Sequence, residues 1–410
     1  MSGTLKRLGP GVRPGLRDGL NHISGSGGLP PILGKWFFVD KTSGNAARDG
    51  RSPDNAFAEL KDAYDACTSG AGDGICLFSR GTSASATSSR ITFPLVWSKH
   101  AITVIGVSSG GRMFNRARIS NTEHTTGALT TIAFPSATTI TDSGSGFISD
   151  GFVVGDVLTI DTTDNTNDGS DAIITAVTAG TITCGASTFT IQTAATAGST
   201  TINSFSAQLI DLTGDNNRFE NLSIVNHSSD AAALGGVRVS GNRNAFDNVH
   251  VIGAGHATPG AVATASHLFI NGGQENFFER CSFGTDSVLW AAANAPILFD
   301  ANSWRNGFYD CDVVLYSKTA GGGAIKSTDA TSIEGFQKFA RCRFINWNEN
   351  GLTALTSAFI GTKPNSGYIL MDSCSLVGWA AWDSVAANNT VYVANSDATA
   401  SGAGGIATTV

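Results

Sequence analysis

The sequence predicts an all-β chain folded as a right-handed parallel β-helix, a solenoid, with an N-terminal capping helix and a small inserted β-barrel or β-sandwich module. Two observations carry this prediction: a repeat of about 30 residues and an unusual composition. Of the 410 residues, 41% are hydrophobic, 14% are charged and 49 are glycine. Globular proteins average about 25% charged residues. Few charges and many small residues exclude a disordered chain or a coiled coil, and favour strands joined by turns.

Apolar residues recur in register through the second half of the chain. In six segments a large apolar residue is followed, three positions later, by another apolar residue. The large residues form a first column and the residues that follow them form a second column. The large residues are Phe219, Phe246, Phe278, Phe308, Phe339 and Met371. The second column is Leu222, Val249, Cys281, Cys311, Cys342 and Cys374, at spacings of 27, 32, 30, 31 and 32. Such a period predicts a solenoid, whose stacked coils bury identical columns against each other.

A bend must lie between these two columns. Residues two apart on a strand share a face, and residues three apart do not. A third column therefore points inward with the second: Ile224, Val251, Phe283, Val313, Phe344 and Leu376. We expect the bend at Asn221, Asn248, Arg280, Asp310, Arg341 and Ser373. The column between the paired inward residues is polar and points outward: Ser223, His250, Ser282, Asp312, Arg343 and Ser375.

The N-terminal region predicts a cap for this solenoid. After a short strand at 36–39, a helix is expected to start near Ser52 or Asp54, with four residues on one face: Phe57, Leu60, Tyr64 and Cys67. The strand, the segment DGRSPDNAFAELKDAYDA and the strand GDGICLFSRG resemble the start of pectate-lyase-like right-handed β-helix proteins. The matching residues are Asp49, Gly50, Ser52, Pro53, Ala56, Phe57, Leu60, Ala63, Gly72, Asp73, Gly74, Ile75 and Gly81. The resemblance implies a helix that covers the open end of the first coil, where apolar interior and strand edges would otherwise be exposed.

Changes in composition divide the chain into five segments. They are an extended basic arm at 1–34, the cap and first coils at 35–132, the inserted module at 133–202, the main coils at 203–395 and a C-terminal tail at 396–410. The arm has four basic residues against one acidic residue, with apolar residues spaced between them. A disordered tail is one interpretation. The other is an arm that binds a partner through Leu5, Lys6, Arg7, Leu8, Arg13, Leu16 and Arg17.

Charge and motif content disfavour several partners and sites. The net charge of −7 argues against a nucleic-acid partner, and no apolar run is long enough for a membrane span. No apolar signal-peptide core is visible, so synthesis in a host cytoplasm is expected. No cofactor and no metal is expected. The acidic run DTTDNTNDGSD lacks the glutamate and spacing of an EF-hand, which favours an ordinary hairpin over a calcium loop.

The side chains that carry chemistry predict no catalytic residue. Polysaccharide cleavage is the commonest enzymatic use of the superfamily that this chain resembles, and glycoside hydrolysis needs paired carboxylates. We expect no outward carboxylate pair on adjacent coils, and we interpret the nearest candidates as solvated surface groups: Glu279, Asp300, Asp310 and Asp312. The cysteine column favours stacked free thiols over a disulfide ladder or a metal string. Five tryptophans suit sugar stacking or, preferably, subunit contacts: Trp290, Trp304, Trp347, Trp379 and Trp382.

A charge-poor solenoid with an inserted β module and a basic arm resembles bacteriophage virion proteins. The resemblance implies a non-enzymatic structural protein of the virion, either a head decoration protein or a fibre or spike component. Its arm would bind capsid or tail proteins, and a host-surface glycan is a further candidate partner of its exposed surface. A further outward column of branched aliphatics predicts a subunit interface of a homotrimer, against a corner that tucks inward: Val225, Ile252, Val314, Ile345 and Val377. The alternatives are a tailspike-type carbohydrate-binding or polysaccharide-degrading lyase or glycosidase, and a bacterial surface adhesin.

Overall fold

The structure, a computed structural model, describes residues 32–79, 89–91, 95–108, 117–121, 124–152, 154, 156–164, 166–168, 170–185, 189–205, 208–317, 319, 321–347, 355–383 and 390–396. The chain winds through three parallel sheets, called A, B and C here. Between residues 208 and 377 each coil adds one strand to C, then A, then B. The predicted fold class is confirmed. Within these ranges, no helix has the length and apolar character to cross a membrane.

Sheet A is the longest of the three. Over the described residues it contains ten strands: β1 (Trp36–Asp40), β2 (Gly74–Ser79), β5 (Thr103–Ser108), β15 (Arg218–Glu220), β18 (Ala245–Asp247), β21 (Phe277–Glu279), β25 (Gly307–Tyr309), β29 (Phe336–Ala340), β32 (Tyr368–Asp372) and β34 (Val391–Ala394). All neighbouring strands pair in parallel. Columns of side chains therefore run along the solenoid axis at the spacing between strands, about 4.8 Å.

Sheets B and C complete each coil. The described part of sheet B is β3 (Ser89–Ile91), β6 (Ala117–Asn121), β16 (Leu222–Val225), β19 (His250–Ile252), β22 (Ser282–Gly284), β26 (Asp312–Tyr316), β30 (Arg343–Trp347) and β33 (Ser375–Val377). That of sheet C is β4 (Leu95–Trp97), β14 (Gln208–Leu212), β17 (Gly235–Val239), β20 (Leu268–Asn271), β23 (Ile297–Asp300), β27 (Ile325–Ser327) and β31 (Phe359–Gly361). A short pair, β24 (Ser303–Trp304) and β28 (Ile333–Glu334), lies between C and A, and one turn of helix, α3 (Ala257–Gly260), precedes β20.

The predicted interior columns are confirmed. Phe219, Phe246, Phe278, Phe308 and Phe339 stack with ring centroids 4.9, 4.9, 4.6 and 4.3 Å apart and ring planes within 14° of parallel. The four column cysteines are buried and free. Each thiol contacts a backbone carbonyl of the preceding coil, as Cys311 Sγ contacts Phe278 O at 3.5 Å. The cysteines therefore act as small apolar core residues, and burial raises the pKa of the Cys311 thiol.

The predicted bend between sheets A and B is also confirmed. All six residues of the bend column adopt left-handed backbone angles, with φ between 52° and 57°. This conformation costs most residues about 1 kcal/mol or more and suits asparagine and aspartate best, so the arginines and the serine there are held by the surrounding coil. One left-handed residue per coil turns the chain and moves the next inward side chain onto the adjacent sheet.

A buried amide ladder, which sequence reasoning missed, lines the corner between sheets C and A. Asn244 Nδ2 donates to Asn276 Oδ1 at 3.1 Å, and Asn276 Nδ2 donates to Asn306 Oδ1 at 3.0 Å. Asn306 Nδ2 donates in turn to Gln337 Oε1 at 3.0 Å. The ladder satisfies polar groups that would otherwise be buried without partners, so it ties successive coils together.

The N-terminal cap covers the interior, but its helix starts later than predicted. A single 3-10 turn, Pro53–Asn55, follows Ser52, whose side chain accepts from the Asn55 N–H. The helix α1 is Leu60–Ala66. The predicted start near Ser52 or Asp54 is wrong because Phe57 instead bridges to Val39 beside strand β1. The predicted apolar face is correct: Phe57, Leu60, Tyr64 and Cys67 are buried in the solenoid core.

The inserted module is an antiparallel β structure with its own core. Its described strands are β7 (His124–Thr125), β8 (Ile132–Ser136), β9 (Thr139–Asp142), β10 (Val157–Thr162), β11 (Asp171–Thr178), β12 (Thr181–Cys184) and β13 (Thr200–Phe205), with a turn of helix, α2 (Ala194–Ala197). These strands reach beyond the predicted range 133–202 at both ends. The module contacts the solenoid where Thr159 Oγ1 donates to Asp230 Oδ2 at 2.6 Å and Val157 packs on Ala233.

Candidate functional site

The structure places the predicted site residues very differently. The arm residues Leu5 to Arg17 and the tail from 397 onward lie outside the described residues, so their binding role stays a prediction. The aliphatic column lies on the outer face of sheet B, where Ile252, Val314 and Ile345 are half-buried and Val377 is exposed. Val225 is only 1% exposed and is packed within the chain. Its assignment to a subunit interface is therefore wrong.

The predicted tryptophan surface is mostly interior. Trp290, Trp379 and Trp382 are buried in the core, so neither sugar stacking nor subunit contact applies to them. Trp304 carries the Arg305 guanidinium over its ring at 4.3 Å. Trp347 is 58% exposed and lies beside the aliphatic column of sheet B.

The carboxylates singled out from the sequence are held in contacts between coils. Asp310 accepts two hydrogen bonds from Arg341, both of 2.7 Å, and this lowers the pKa of Asp310. Asp312 accepts two from Arg343, of 2.6 and 2.7 Å. Asp300 accepts from the Thr328 hydroxyl at 2.6 Å. Each arginine lies one coil after its aspartate, so these ion pairs link neighbouring coils rather than forming an acid–base pair.

A carboxylate column missed by the sequence reasoning lies on the outer face of sheet A. Glu220, Asp247 and Glu279 are register partners on three consecutive coils. The expectation that no outward carboxylate pair spans adjacent coils is therefore wrong, because only the outward column of sheet B had been considered. The signal was present, since these residues follow directly after the inward phenylalanines and must point the opposite way.

Arginines pair with these carboxylates as well. Arg218 is paired with Glu220, and Arg280 donates to both oxygens of Asp247 at 2.5 Å. Arg280 also lies 3.4 Å from Glu279. Burial raises the pKa of Glu220, the neighbouring Asp247 adds to the rise, and Arg218 opposes it. The column is thus a row of three carboxylates flanked by two arginines.

Beyond this column, exposed and half-buried aromatic residues continue along the same face. We call them the sheet A aromatic row: Phe277, Tyr309, Phe336, Tyr368 and Tyr392. Phe277 stacks on Tyr309 with ring centroids 4.7 Å apart, and Phe336 stacks on Tyr368 at 6.1 Å. Tyr392 meets Tyr368 edge to face at 5.3 Å. Phe277, Tyr368 and Tyr392 are 41%, 39% and 48% exposed, so their ring surfaces face solvent.

A glycine on the same strand explains how the Tyr309 ring fits beside Phe277. Gly307 stands in register between Phe277 and Lys338. A Cβ atom at Gly307 would meet the Tyr309 ring at 2.6 Å, so the glycine leaves the space that the Tyr309 ring occupies beside Phe277. The Lys338 ammonium lies 5.8 Å from the centroid of the same ring. Five consecutive strands of sheet A carry the row, which spans about 19 Å at the usual strand spacing.

Among the residues described, no group of three or more histidine, cysteine, aspartate or glutamate side chains is arranged to hold a metal ion. In the acidic run of the module, the Thr166 hydroxyl donates to Asp164 Oδ1 at 2.8 Å and the Thr162 N–H donates to Asp168 Oδ1 at 3.2 Å. These are hydrogen bonds within a hairpin.

Comparison with known proteins finds solved structures to which this chain is similar at low identity. No family model matches the sequence, and no curated protein matches it. Pectin methylesterase from Aspergillus niger matches at 12% identity over 88% of this chain and 84% of its own, with a TM-score of 0.44. Pectin methylesterase PemA from Erwinia chrysanthemi matches at 14% identity over 88% of both chains, with a TM-score of 0.46. The tailspike protein gp49 from Pseudomonas phage LKA1 matches at 12% identity over 75% of this chain and 63% of its own, with a TM-score of 0.25.

Proposed function

We propose that the protein is a polysaccharide-binding solenoid exposed on a bacteriophage particle, and that it binds a host-surface glycan along the sheet A aromatic row. The observation that carries the proposal is the set of stacked rings exposed on consecutive coils. Large apolar side chains in water are unfavourable unless something covers them. The C–H groups on one face of a sugar ring pack well on the electron-rich face of an aromatic ring.

The dimensions and chemistry of the row favour an extended ligand. Its rings line one face in a direction along the solenoid axis, and charged groups flank them, with Glu279 on one side and Lys338 among them. Rings supply contact area at a low cost in side-chain entropy, whereas the flanking charges supply hydrogen bonds to hydroxyl groups. A linear chain of sugars fits this arrangement better than a compact ligand.

The proposal includes binding without cleavage. A glycosidase needs one carboxyl group free to donate a proton and a second free to act as base or nucleophile. The outward carboxylates that could serve are paired with Arg218, Arg280, Arg341 and Arg343. The virion setting rests on the basic arm at 1–34, and trimer formation rests on the partly exposed aliphatic column of sheet B, without Val225.

A second candidate function, glycoside hydrolysis at Glu220 and Asp247, has two observations in its favour. Adjacent coils place these carboxylates in one column at a strand spacing of about 4.8 Å, close to the roughly 5 Å separation of retaining glycosidases. Burial also raises the pKa of Glu220, as a general acid requires. Incubation with host polysaccharide separates the two functions: turnover that is lost in Glu220→Gln would establish the enzyme and reject binding without cleavage.

The binding proposal is tested with matched aromatic substitutions. Polysaccharide from the host surface is titrated against the full chain, Tyr309→Ala, Tyr368→Ala and the control Trp347→Ala, which removes an exposed ring from sheet B. Each tyrosine substitution should weaken binding by at least about 5-fold, because a stacked ring contributes about 1–3 kcal/mol at comparable stacking sites. The control should bind like the unaltered protein. Equal binding by all four proteins would exclude the aromatic row as the site.

A further inference from the structure

A cavity of about 380 Å³ opens on the outer face of sheet C, on a different side of the solenoid from the aromatic row. It is lined by Ala293, Gly321, Lys326, Thr356, Ser357, Phe359, Ile360, Gly361, Lys363 and Asp383. Its position follows from the register of the coils. Lys326 pairs with Ile360 on the next strand, and Phe359 bridges to Asp383 on the coil after that. A volume of this size suits one small ring-shaped ligand.

Small residues keep the cavity open. Ala293 and Gly321 form one wall, and a Cβ atom at Gly321 would come within 3.0 Å of the Ala293 Cβ. Gly361 has a φ of 91°, and a Cβ atom there would meet Ser327 O at 2.1 Å. Larger residues at these positions would collide with their neighbours. The space above Lys326 therefore depends on small residues at three separate positions, Ala293, Gly321 and Gly361.

The Lys326 ammonium is held in place by two carbonyl groups and has no counter-charge among the described residues. The Lys326 ammonium donates to Ala263 O and Ala293 O, both at 2.7 Å, which hold it in place across two coils. A lysine ammonium has three donors, so one remains. Over the part of the chain that is described, no carboxylate lies within ion-pair distance of Lys326. Half-burial without a counter-charge lowers the pKa of Lys326 and is unfavourable unless a ligand compensates it.

The neighbouring ion pair leaves the balance of charge positive. Lys363 Nζ lies 2.9 Å from Asp383 Oδ2, with side chains 20% and 13% exposed. That pair is neutral together, so the two lysines and one aspartate that line the cavity carry a net charge of +1. Ile360 contributes an apolar wall beside these charges. The lining therefore matches a ligand with one negative charge and an apolar ring face.

We infer that this cavity is a binding site for a single anionic group, a carboxylate or a phosphate ester, on a ring-sized ligand such as a sugar derivative. Lys326 binds the anion through its remaining donor, and Ile360 contacts the ring. This inference does not depend on the aromatic row: sheet A variants leave this site unchanged, and failure here leaves the proposed function standing.

The test compares charged and uncharged probes of similar size. Glucuronate, glucose 6-phosphate and uncharged methyl glucoside are titrated by calorimetry against the full chain, Lys326→Met and the control Lys61→Met, which removes an exposed lysine of helix α1. At least one anionic probe should bind saturably, with glucuronate and glucose 6-phosphate distinguishing the two sources of negative charge. Lys326→Met should weaken its binding by at least about 10-fold, the effect expected for a charge-assisted hydrogen bond. The control should not change it.

A second measurement on the unaltered protein keeps the test independent of the substitution. The Lys326 ammonium is titrated by nitrogen NMR with and without the bound anion, and its pKa should rise when an opposite charge binds beside it. Saturable binding of neither anion, equal binding of methyl glucoside, undiminished binding by Lys326→Met, or an unchanged Lys326 pKa with bound anion would each overturn the inference.

Discussion

Removing one ring from the interior phenylalanine stack tests whether that stack holds the solenoid together. Phe308 is fully buried, with Phe278 stacked at 4.6 Å on one side and Phe339 at 4.3 Å on the other. The edges of Phe283 and Phe299 close the remaining sides at 6.0 and 6.4 Å. A buried Phe→Ala change costs about 3–5 kcal/mol, and the coils cannot move together to fill the gap because the sheets fix their spacing. With both stacking partners lost, we expect Phe308→Ala to cost about 4–5 kcal/mol.

The assay is urea unfolding followed by circular dichroism, with Phe277→Ala as the matched control. Phe277 is an aromatic residue on the preceding strand of sheet A, but it is 41% exposed on the outer face. Its removal should cost less than about 1 kcal/mol, since little buried contact is lost. A loss below about 1 kcal/mol for Phe308→Ala, or equal losses for the two variants, would refute the assignment of inner and outer faces.

The remaining predictions concern pH, surface charge and assembly. Burial lowers the pKa of His267 from 6.5 to about 3, so between these pH values the unfolded chain binds more protons than the folded chain. The free energy of unfolding should therefore fall as the pH drops below about 6.5, by at most about 1.4 kcal/mol per pH unit. The substitution His267→Asn should remove most of that pH dependence. An identical slope in the variant would assign it elsewhere. A double-mutant cycle on Asp310 and Arg341 should give a small coupling energy that weakens in salt and is lost as pH falls through the lowered pKa of Asp310. A coupling that salt does not weaken would contradict the solvent-exposed geometry. Deletion of residues 1–34 should leave the trimer intact by light scattering and abolish co-sedimentation with particles; normal incorporation would reject the anchor, and a monomeric full chain would reject the trimer.

The repeat made the interior predictable because it depends on two local rules. Alternation along a strand fixed which residues face inward, and the three-residue offset from Phe219 to Leu222 required a bend, which the structure places at Asn221. The same alternation would have revealed the amide ladder two residues before each phenylalanine, and the carboxylate column one residue after it. These columns were missed because only the outward positions of one sheet were considered.

Other features carry no signal of that kind. Ser52 and Pro53 form a genuine N-terminal capping pattern, but the capped element is a single 3-10 turn, because Phe57 bridges to Val39 instead of continuing a helix. The sheet C cavity joins Ala293, Gly321 and Asp383 from loops of unequal length, which no periodicity relates. The burial of Val225 likewise could not be predicted, because outward parity does not indicate what the rest of the chain covers.

Hydroxyl-radical footprinting tests directly whether the glycan binds along the sheet A aromatic row. The full protein is labelled with and without host polysaccharide, and the reactivity of each residue is read by mass spectrometry. If the glycan binds there, the polysaccharide protects Phe277, Tyr309, Tyr368 and Tyr392 and leaves Trp347 as reactive as in the free protein. The first four residues are on sheet A and Trp347 is on sheet B. Phe277, Tyr368, Tyr392 and Trp347 are all exposed, so their reactivities in the free protein can be compared. Protection of Trp347 and Val377 with no change at the tyrosines would place the glycan on sheet B and contradict the proposed site on sheet A.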